Sequence, residues 1–197
     1  ISTVFGFILA LVLNNKFRFR KAVSAIVVFP WATSLIIQAG VWKFIIDKDY
    51  GALNTLLMKI GLISSPVNWT PTPQAYFAWE IFVGIFVTVP FVTFCVLSGL
   101  QSIDNSYYEA ATVDGANYWQ KLFKITLPLV KSSLTVSTVL NIIYVFNSFP
   151  IIWTITKGDP ASRTDTLVTY LYKLAFYKGK SGEAAAVSVI GFLILCL

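Results

Sequence analysis

Long runs without a charged residue alternate with polar segments along the chain. Three runs are complete, 22–42, 81–103 and 132–156, and two shorter runs, 1–15 and 184–197, stand at the ends of the sequence. A helix needs about 20 apolar residues to cross the ~30 Å hydrocarbon layer of a bilayer. These runs are too long and too uniformly apolar for the strands of a membrane barrel. The pattern predicts an all-α, polytopic transmembrane helical bundle with five crossings, and we expect the chain to be an excerpt from a longer membrane protein.

The composition strengthens this interpretation. Of the 197 residues, 56% are hydrophobic and 12% are charged. A soluble fold of this length cannot bury so much apolar surface, and a disordered chain needs low hydrophobicity and high charge. The net charge is +6, but most basic residues lie between apolar runs, which favours lipid headgroups over nucleic acid as their partner. There is no His, and Cys95 and Cys196 lie in apolar runs, so we expect no metal site.

The distribution of Lys and Arg predicts the orientation of the chain. The interval 16–21 reads KFRFRK, and short basic loops stay in the cytoplasm. Alternation then places the connection 104–131 in the cytoplasm and the long connections 43–79 and 157–183 outside.

The first outer connection contains a helical pattern of its own. Leu53, Leu56, Leu57 and Ile60 recur at the spacing of one helix face, and Gly61 follows as a C-terminal stop. We expect an amphipathic helix on the outer membrane surface. Inside the complete runs, three prolines predict kinks: Pro30, Pro90 and Pro150.

The cytoplasmic segment 104–128 carries the most specific pattern. Ser106 and Glu109 have the Ser-x-x-Glu spacing of a capping box, which predicts the start of a short helix, and Gly115 suits the left-handed residue that ends it. An amphipathic stretch follows, and Pro128 stands where proline commonly opens a helix. The segment is predicted to be a helix-turn-helix that offers small residues to a close neighbour: Ala110, Ala111, Gly115 and Ala116. An ordinary linker helix is the alternative.

The string from Glu109 to Leu129, EAATVDGANYWQKLFKITLPL, resembles the cytoplasmic motif of bacterial ABC-importer permeases. Asp-Gly-Ala after Glu-Ala-Ala resembles the carbohydrate branch of that family, as do four other fragments: Phe29-Pro30-Trp31, Val41-Trp42-Lys43, Gly51-x-Leu53-Asn54 and the stretch SGLQSI at 98–103. The chain departs from the branch at two positions. Asp104 stands where proline is usual, and Asp159 replaces the second glycine of the outer turn Thr-x-Gly-Gly-Pro.

The resemblance implies a multi-pass permease of the bacterial plasma (inner) membrane, with 1–197 as a single transmembrane permease domain. It implies a heterodimer with a second permease subunit, two cytoplasmic ATPase subunits and an extracytoplasmic sugar-binding protein. The sequence has no G-x-x-x-x-G-K-[ST] phosphate loop, so we expect ATP and Mg to be used by the partner ATPase, with no cofactor and no catalytic residue on this chain. The residues expected to couple to the ATPase are Glu109, Ala110, Ala111, Asp114 and Gly115.

Polar residues in the run 132–156 predict a solute path. Asn141, Tyr144 and Ser148 lie at i, i+3 and i+7, which is one face of a helix, and Asn147 is nearby. Polar groups are costly in lipid, so this face is expected to look into a protein-lined cavity, where amides, hydroxyls and an aromatic ring suit a sugar. Hydrogen bonding between helices is the alternative.

These observations favour a permease subunit of an ATP-driven importer for a sugar or related carbohydrate. Three alternatives stay open: an ABC permease for an amino acid or phosphate, an ion-coupled secondary carrier, and a membrane-bound enzyme. A carrier usually has ionisable residues within its spans, whereas the three complete runs contain none and Glu80 lies at the outer edge of one. An enzyme needs a nucleophile–base pair or a metal set, and the sequence offers neither.

Overall fold

The chain folds almost entirely into helices. The computed structural model describes residues 1–15 and 17–196, so Lys16 of the KFRFRK interval and Leu197 of the last apolar run lie outside the described residues. No strand occurs in the described part, as an all-α fold requires. The α-helices in chain order are α1 Ser2–Asn14, α2 Arg20–Ala32, α3 Leu35–Ile45, α4 Ala52–Lys59, α5 Pro73–Gln101, α6 Asn105–Val113, α7 Tyr118–Lys121, α8 Leu127–Leu129, α9 Lys131–Phe146, α10 Phe149–Ile155, α11 Leu167–Tyr172 and α12 Ser181–Cys196. Two π-helical turns, Leu122–Thr126 and Lys173–Tyr177, follow α7 and α11.

The helices form two compact units. Unit 1 contains Ile1–Ala32 and Ile85–Ile142, and unit 2 contains Thr33–Gly84 and Ile143–Leu197. Unit 1 therefore holds both connections predicted to be cytoplasmic, and unit 2 holds both long connections predicted to lie outside. The sequence pattern treated the chain as one domain, so the division is a finding of the structure.

Unit 1 is built on small residues of α1. Ser2, Gly6 and Ala10 recur every four residues, and all three are buried. Helices in lipid associate through close packing rather than through the hydrophobic effect, and small residues at this spacing let a neighbouring helix approach. A Cβ atom at Gly6 would lie 2.6 Å from Cγ1 of Val92 on α5, so no larger residue fits without a shift.

The core of unit 1 also brings together the ends of three helices. Leu13 near the end of α1, Leu100 near the end of α5 and Val130 just before α9 are buried in one cluster. The chain therefore leaves α1 and α5 at the same end of unit 1. This agrees with the predicted alternation, in which 16–21 and 104–131 share one side of the membrane.

Unit 2 packs α3 against α10, and α11 against α12. The ammonium of Lys43 on α3 donates to the carbonyl of Thr154 on α10 at 3.2 Å. Gly191 lets α12 come close to α11, since a Cβ there would lie 2.8 Å from Cδ2 of Leu167. A larger residue at this position would require the Leu167 side chain to shift.

The helix predicted within the connection 43–79 is confirmed as α4, whereas its place on the outer membrane surface stays a prediction. Gly61 ends it with φ of +74°, and the amide of Leu62 donates to the carbonyl of Leu57 at 3.0 Å, as expected for a glycine stop. The side chain that holds α4 to its surroundings is polar. Asn54 is 2% exposed and bonds the backbones of Lys48 and Val67 as well as the indole N–H of Trp69, with distances of 2.9 to 3.2 Å.

The apolar runs do not all form uninterrupted helices. Among the described residues, only α5 is long and apolar enough by itself to cross a membrane; the number rises to three if each of two interrupted helix pairs counts as one span. One pair is α2 with α3, so the run 22–42 is interrupted at Thr33 and Ser34, shortly after Pro30. The other joins Tyr118–Leu129 to α9 across a bend of 63°. The terminal helices α1 and α12 are shorter apolar helices.

The run 132–156 is likewise divided, between α9 and α10. The side chain of Asn147 donates to the carbonyl of Ile143 at 2.9 Å, and that of Ser148 donates to the carbonyl of Val145 at 2.7 Å. The backbone amides of Ser148 and Phe149 donate to the carbonyls of Val145 and Asn147 instead of continuing the α-helical ladder, and Pro150 supplies no N–H to it. Pro150 opens α10 instead, whereas Pro90 lies within the continuous helix α5.

Candidate functional site

The segment 104–128 forms the predicted helix-turn-helix, but the N-cap of α6 is an aspartate. The carboxylate of Asp104 accepts a hydrogen bond from the backbone N–H of Ser106 at 2.9 Å, which makes Asp104 the N-cap. The capping box predicted for Ser106 and Glu109 is therefore wrong. The backbone N–H of Ser106, and then its hydroxyl, hold the pKa of Asp104 below the ordinary value because they favour the charged carboxylate. The departure from the family's usual proline thus has a structural role.

Glu109 is left as a surface carboxylate in the middle of α6. It is exposed, and within the described part of the chain it forms no hydrogen bond or ion pair. Ala110, Asp114 and Gly115 are also exposed, and Ala111 is half-buried. The predicted coupling residues therefore share one accessible segment, which also carries Val113 with 89% of its surface exposed.

The turn after α6 is confirmed at Gly115. Its φ is +76°, in the left-handed region that favours glycine. The amide of Ala116 donates to the carbonyl of Ala111 at 2.8 Å, and the amide of Gly115 donates to that of Thr112 at 3.1 Å. This pair of bonds is the Schellman motif, which satisfies two of the free carbonyls at the end of α6.

Two side-chain bonds brace α6 against the helical segment that follows. The hydroxyls of Tyr108 and Thr126 lie 3.0 Å apart, and the ammonium of Lys121 donates to the hydroxyl of Thr112 at 2.7 Å. The start of that segment is a capping box that the sequence analysis missed. The amide of Gln120 donates to the Asn117 side chain at 2.9 Å, and the amide of Asn117 donates to the Gln120 side chain at 2.8 Å. The Asn-x-x-Gln spacing was the signal for it.

The residues predicted for the solute path are not presented on one helical face. α9 ends at Phe146, so Ser148 no longer continues the register of Asn141 and Tyr144. Asn141 belongs to unit 1, whereas Tyr144, Asn147 and Ser148 belong to unit 2. The side chains of Asn147 and Ser148 bond locally, to the carbonyls of the preceding turn. Asn141 is 8% exposed, and its Oδ1 atom has no hydrogen-bond partner in the described part.

Unit 1 contains a cavity that the sequence analysis did not predict. Its volume is about 650 Å³. Aromatic rings and hydroxyl groups line much of it: Trp31, Phe91, Phe94, Ser98, Ser132 and Ser133. The rings of Trp31 and Phe91 stack with centroids 6.4 Å apart. None of the four predicted path residues lines this cavity, and the signal for it was the aromatic fragment Phe29-Pro30-Trp31.

A polar network in unit 2 joins α5 to the turn after α10. The hydroxyl of Thr156 donates to Oε1 of Glu80 at 2.6 Å, accepts from the amide of Gly158 at 3.0 Å and lies 2.9 Å from the hydroxyl of Thr164. Glu80 is 5% exposed, and its Oε2 atom has no partner within the described residues. The sequence analysis had recognised Glu80 only as the edge of an apolar run.

The outer turn forms with an aspartate in place of the second glycine. Lys157 and Gly158 have φ of +57° and +83°, whereas Asp159 does not adopt a positive φ. The backbone conformation at this position therefore does not require glycine. The hydroxyl of Thr164 donates to the carbonyl of Asp159 at 3.1 Å, which closes the turn.

A comparison with protein families decides which kind of membrane protein contains these sites. The sequence model of the family described as "binding-protein-dependent transport system inner membrane component" matches residues 2–197. The chain belongs to this family. The family description places its members in the inner membrane, as components of a binding-protein-dependent transport system.

Two curated relatives of this chain are named as transport permeases. A probable ABC transporter permease protein of Brucella suis biovar 1 (strain 1330) is 48% identical over 186 residues, which are 94% of this chain and 64% of the relative. The trehalose/maltose transport system permease protein MalF of Thermococcus litoralis is 36% identical over 195 residues, which are 99% of this chain and 65% of the relative. The chain thus spans just under two thirds of the length of these curated relatives.

A solved structure has the same fold. It is the crystal structure of a bacterial alginate ABC transporter in complex with an alginate pentasaccharide-bound periplasmic protein. One of its chains matches all of this chain with a TM-score of 0.86 and 27% identity, and 68% of that chain is covered.

Proposed function

We propose that this chain is part of the membrane-spanning permease subunit of an ATP-driven importer, and that the importer takes up a sugar or related carbohydrate delivered by an external binding protein. The names of the relatives support the solute class, since one is a trehalose/maltose permease and the solved structure carries an alginate oligosaccharide. The proposal includes a second permease subunit as a heterodimer partner and two cytoplasmic ATPase subunits. ATP and Mg are used by those ATPase subunits.

The braced helix-turn-helix is the observation that carries the proposal. A movement of the ATPase reaches the membrane helices only if the exposed helix α6 is rigidly connected to them. α6 is tied to the following segment by the Schellman turn and by the two bonds Tyr108–Thr126 and Lys121–Thr112. That segment leads directly to Val130, which is fully buried in the core with α1 and α5. Closure of an ATPase dimer against Glu109 to Gly115 would therefore move the spans of unit 1 together with the loop.

The solute is expected to use polar groups within the spans. The cavity of unit 1 offers what a sugar binds: aromatic faces for its C–H surfaces and hydroxyls for its oxygens. Among the four path residues, Asn141 has the strongest case, because its buried oxygen has no partner in the described part of the chain. Tyr144, Asn147 and Ser148 remain part of the proposed path. Asn141→Ala should lower the transport rate in an assembled complex, and an unchanged rate and affinity would remove Asn141 from the path.

Reconstitution of the whole complex tests the proposal. Proteoliposomes containing both permeases and the ATPase should take up sugar only with ATP and loaded binding protein, and collapse of ion gradients should have no effect. Glu109→Lys should uncouple ATP hydrolysis from uptake because it reverses the exposed charge on α6. Asp49→Lys, which reverses an exposed carboxylate in the connection 43–79 that forms no ion pair in the described part of the chain, is the matched control. Uptake driven by an ion gradient, or normal coupling in Glu109→Lys, would contradict the proposal.

Thiol labelling tests the orientation. Cys95 and Cys196 are both free thiols, so they are first replaced by serine. Single cysteines at Ser64 and Ser162, both exposed, should react with an impermeant reagent from outside. A cysteine at Ser106, also exposed, should react only after permeabilisation. External labelling at Ser106 would place the helix-turn-helix on the wrong side for an ATPase.

A further inference from the structure

Unit 2 contains a second cavity, which we call the outer pocket. Its volume is about 510 Å³, within the usual range for small-molecule sites. Three separate segments converge on it: the end of α3 with the residues after it, the loop that leads into α5, and the turn after α10. All three belong to the connections that the sequence analysis placed outside the membrane, or border them.

The outer pocket is rich in polar groups that the fold does not use. The hydroxyl of Tyr76, the ammonium of Lys48 and the carboxylate of Asp159 line it, and none of them has a hydrogen-bond partner in the described part of the chain. Asn68 uses its side-chain oxygen for Thr70, which leaves its amide N–H₂ group free within the same described region. Lys48, Asn68 and Asp159 are exposed and Tyr76 is half-buried, so these donors and acceptors are accessible to a polar ligand.

One wall of the outer pocket is held rigidly. Thr156 lines the pocket, and its hydroxyl is fixed by Glu80, by the amide of Gly158 and by contact with Thr164. Glu80 stands behind this wall and is 5% exposed. A wall whose hydrogen bonds are already made loses little entropy when a ligand binds, so this wall of the pocket is preorganised.

The charges of the outer pocket favour a neutral ligand. Two ammonium groups, of Lys43 and Lys48, are balanced by two carboxylates, of Asp47 and Asp159. A charged ligand would be attracted by one pair of these side chains and repelled by the other pair. Every hydroxyl of a sugar both donates and accepts, so it matches a mixed set of carboxylates, amide and ammonium groups. The ring of Tyr76 adds an apolar surface.

We propose that the outer pocket is a carbohydrate-binding subsite, separate from the cavity of unit 1, where a sugar that leaves the binding protein first contacts the permease. The inference rests on the proposed function, since it takes its ligand class and its outer location from it. It adds a binding site with named residues, of which Tyr76, Asp159, Asn68 and Lys48 contact the sugar.

Sugar binding to the assembled complex, without its binding protein, tests the proposal directly. Maltose and trehalose are the probes, and binding is followed by saturation-transfer NMR. Tyr76→Phe removes one hydroxyl and Asp159→Asn removes one charge, so neither change threatens the fold. The double variant should bind the probes about tenfold more weakly, as expected for the loss of one hydrogen bond and of the charge assistance to a second. The matched controls, Tyr50→Phe and Asp49→Asn, change exposed residues outside the pocket and should bind as the parent does.

Transport kinetics separate this site from a protein-docking pocket. A sugar subsite predicts that the double variant lowers kcat, while the KM for loaded binding protein stays unchanged. If that KM rises and direct binding of the probes does not change, the pocket receives a side chain of the binding protein and the proposal is overturned. Unchanged binding and unchanged kinetics in the double variant also overturn it.

The outcome is distinguishable from failure of the proposed function. If the parent complex imports sugars, and the pocket variants bind and transport them as the parent does, the subsite proposal is wrong and the import function stands. If the parent complex imports neither probe nor any other sugar, the import function is wrong. Probe binding to the complex then still decides whether the outer pocket binds carbohydrate.

Discussion

Substitutions at Gly115 test two reasons for a glycine in the turn after α6. One is its left-handed backbone conformation, and the other is the need for a small residue. The residue has φ of +76°, and a Cβ placed on it meets no atom of the described chain within 4 Å. Within this chain, therefore, glycine is needed for its backbone conformation and not for space. A close fit to the ATPase would be an additional demand, which only the assembled complex imposes.

The size of the conformational effect follows from the backbone. An L-residue in the left-handed region costs about 1–2 kcal/mol, and asparagine less, because its side chain can bond locally. This cost corresponds to a roughly five- to thirtyfold larger open population of the turn. Gly115→Ala adds this strain with little bulk, Gly115→Asn adds bulk with little strain, and Gly115→Leu adds both. We expect partial loss of coupling in the first two variants and the greatest loss in the third.

Two measurements distinguish the effect of backbone strain from the effect of side-chain bulk on docking. Hydrogen exchange at the amide of Ala116, which closes the turn on Ala111, reports the opening of the turn. It should accelerate in Gly115→Ala and Gly115→Leu alike and change less in Gly115→Asn. Retention of the ATPase subunits, and stimulation of their activity by loaded binding protein, report docking. If Gly115→Asn couples as the parent does, close docking at this residue is refuted. If Gly115→Ala leaves exchange at Ala116 unchanged, the strain argument fails.

Three further perturbations test the fold around the sites. The pKa of Asp104 is lowered in the folded chain, so the Asp104 carboxylate stabilises α6 fully above its ordinary pKa and loses this effect as the pH falls through the lowered pKa. Hydrogen exchange in α6 should therefore become faster at low pH. Asp104→Asn should keep the cap and abolish this pH dependence. Asn54→Ala should destabilise the chain by about 1–3 kcal/mol for each buried group left without a partner, while the exposed Asn68→Ala should change the melting temperature in detergent little. Gly6→Ala should cost about 1–3 kcal/mol through overpacking, whereas Gly40→Ala, whose Cβ meets nothing within 4 Å, should not; equal melting temperatures for these two variants would contradict the close packing of α1.

Much of the coupling segment could be predicted from local sequence signals. The short helix and its stop at Gly115 were confirmed because a left-handed glycine after a helix is a local event. The start was predicted wrongly because Asp104 and Ser106 are both suitable N-caps, and the Ser-x-x-Glu spacing favoured the second. Asp104 lies earlier in the chain, and its carboxylate bonds the amide of Ser106 itself, so the helix begins before the predicted box.

The helical face predicted for Asn141, Tyr144 and Ser148 does not form, because that prediction depended on an uninterrupted helix. A count of apolar residues between Lys131 and Lys157 measures hydropathy, and this measure does not register where a helix ends. The helix ends where the backbone amides of Ser148 and Phe149 turn to the carbonyls of Val145 and Asn147, ahead of Pro150, and this moves Ser148 out of the expected register.

The amino-acid sequence by itself determined the helical membrane character of this protein, the positions of most helices and the left-handed turn at Gly115. These properties arise from residues close together in the chain, through their hydropathy and their backbone preferences. Only the tertiary structure decided the division into two units, the two cavities and the network in which Thr156 binds Glu80, 76 positions away. The physical reason is that such contacts depend on which helix faces pack together, and in lipid this packing is governed by shape and small residues rather than by a hydrophobic pattern that a sequence displays.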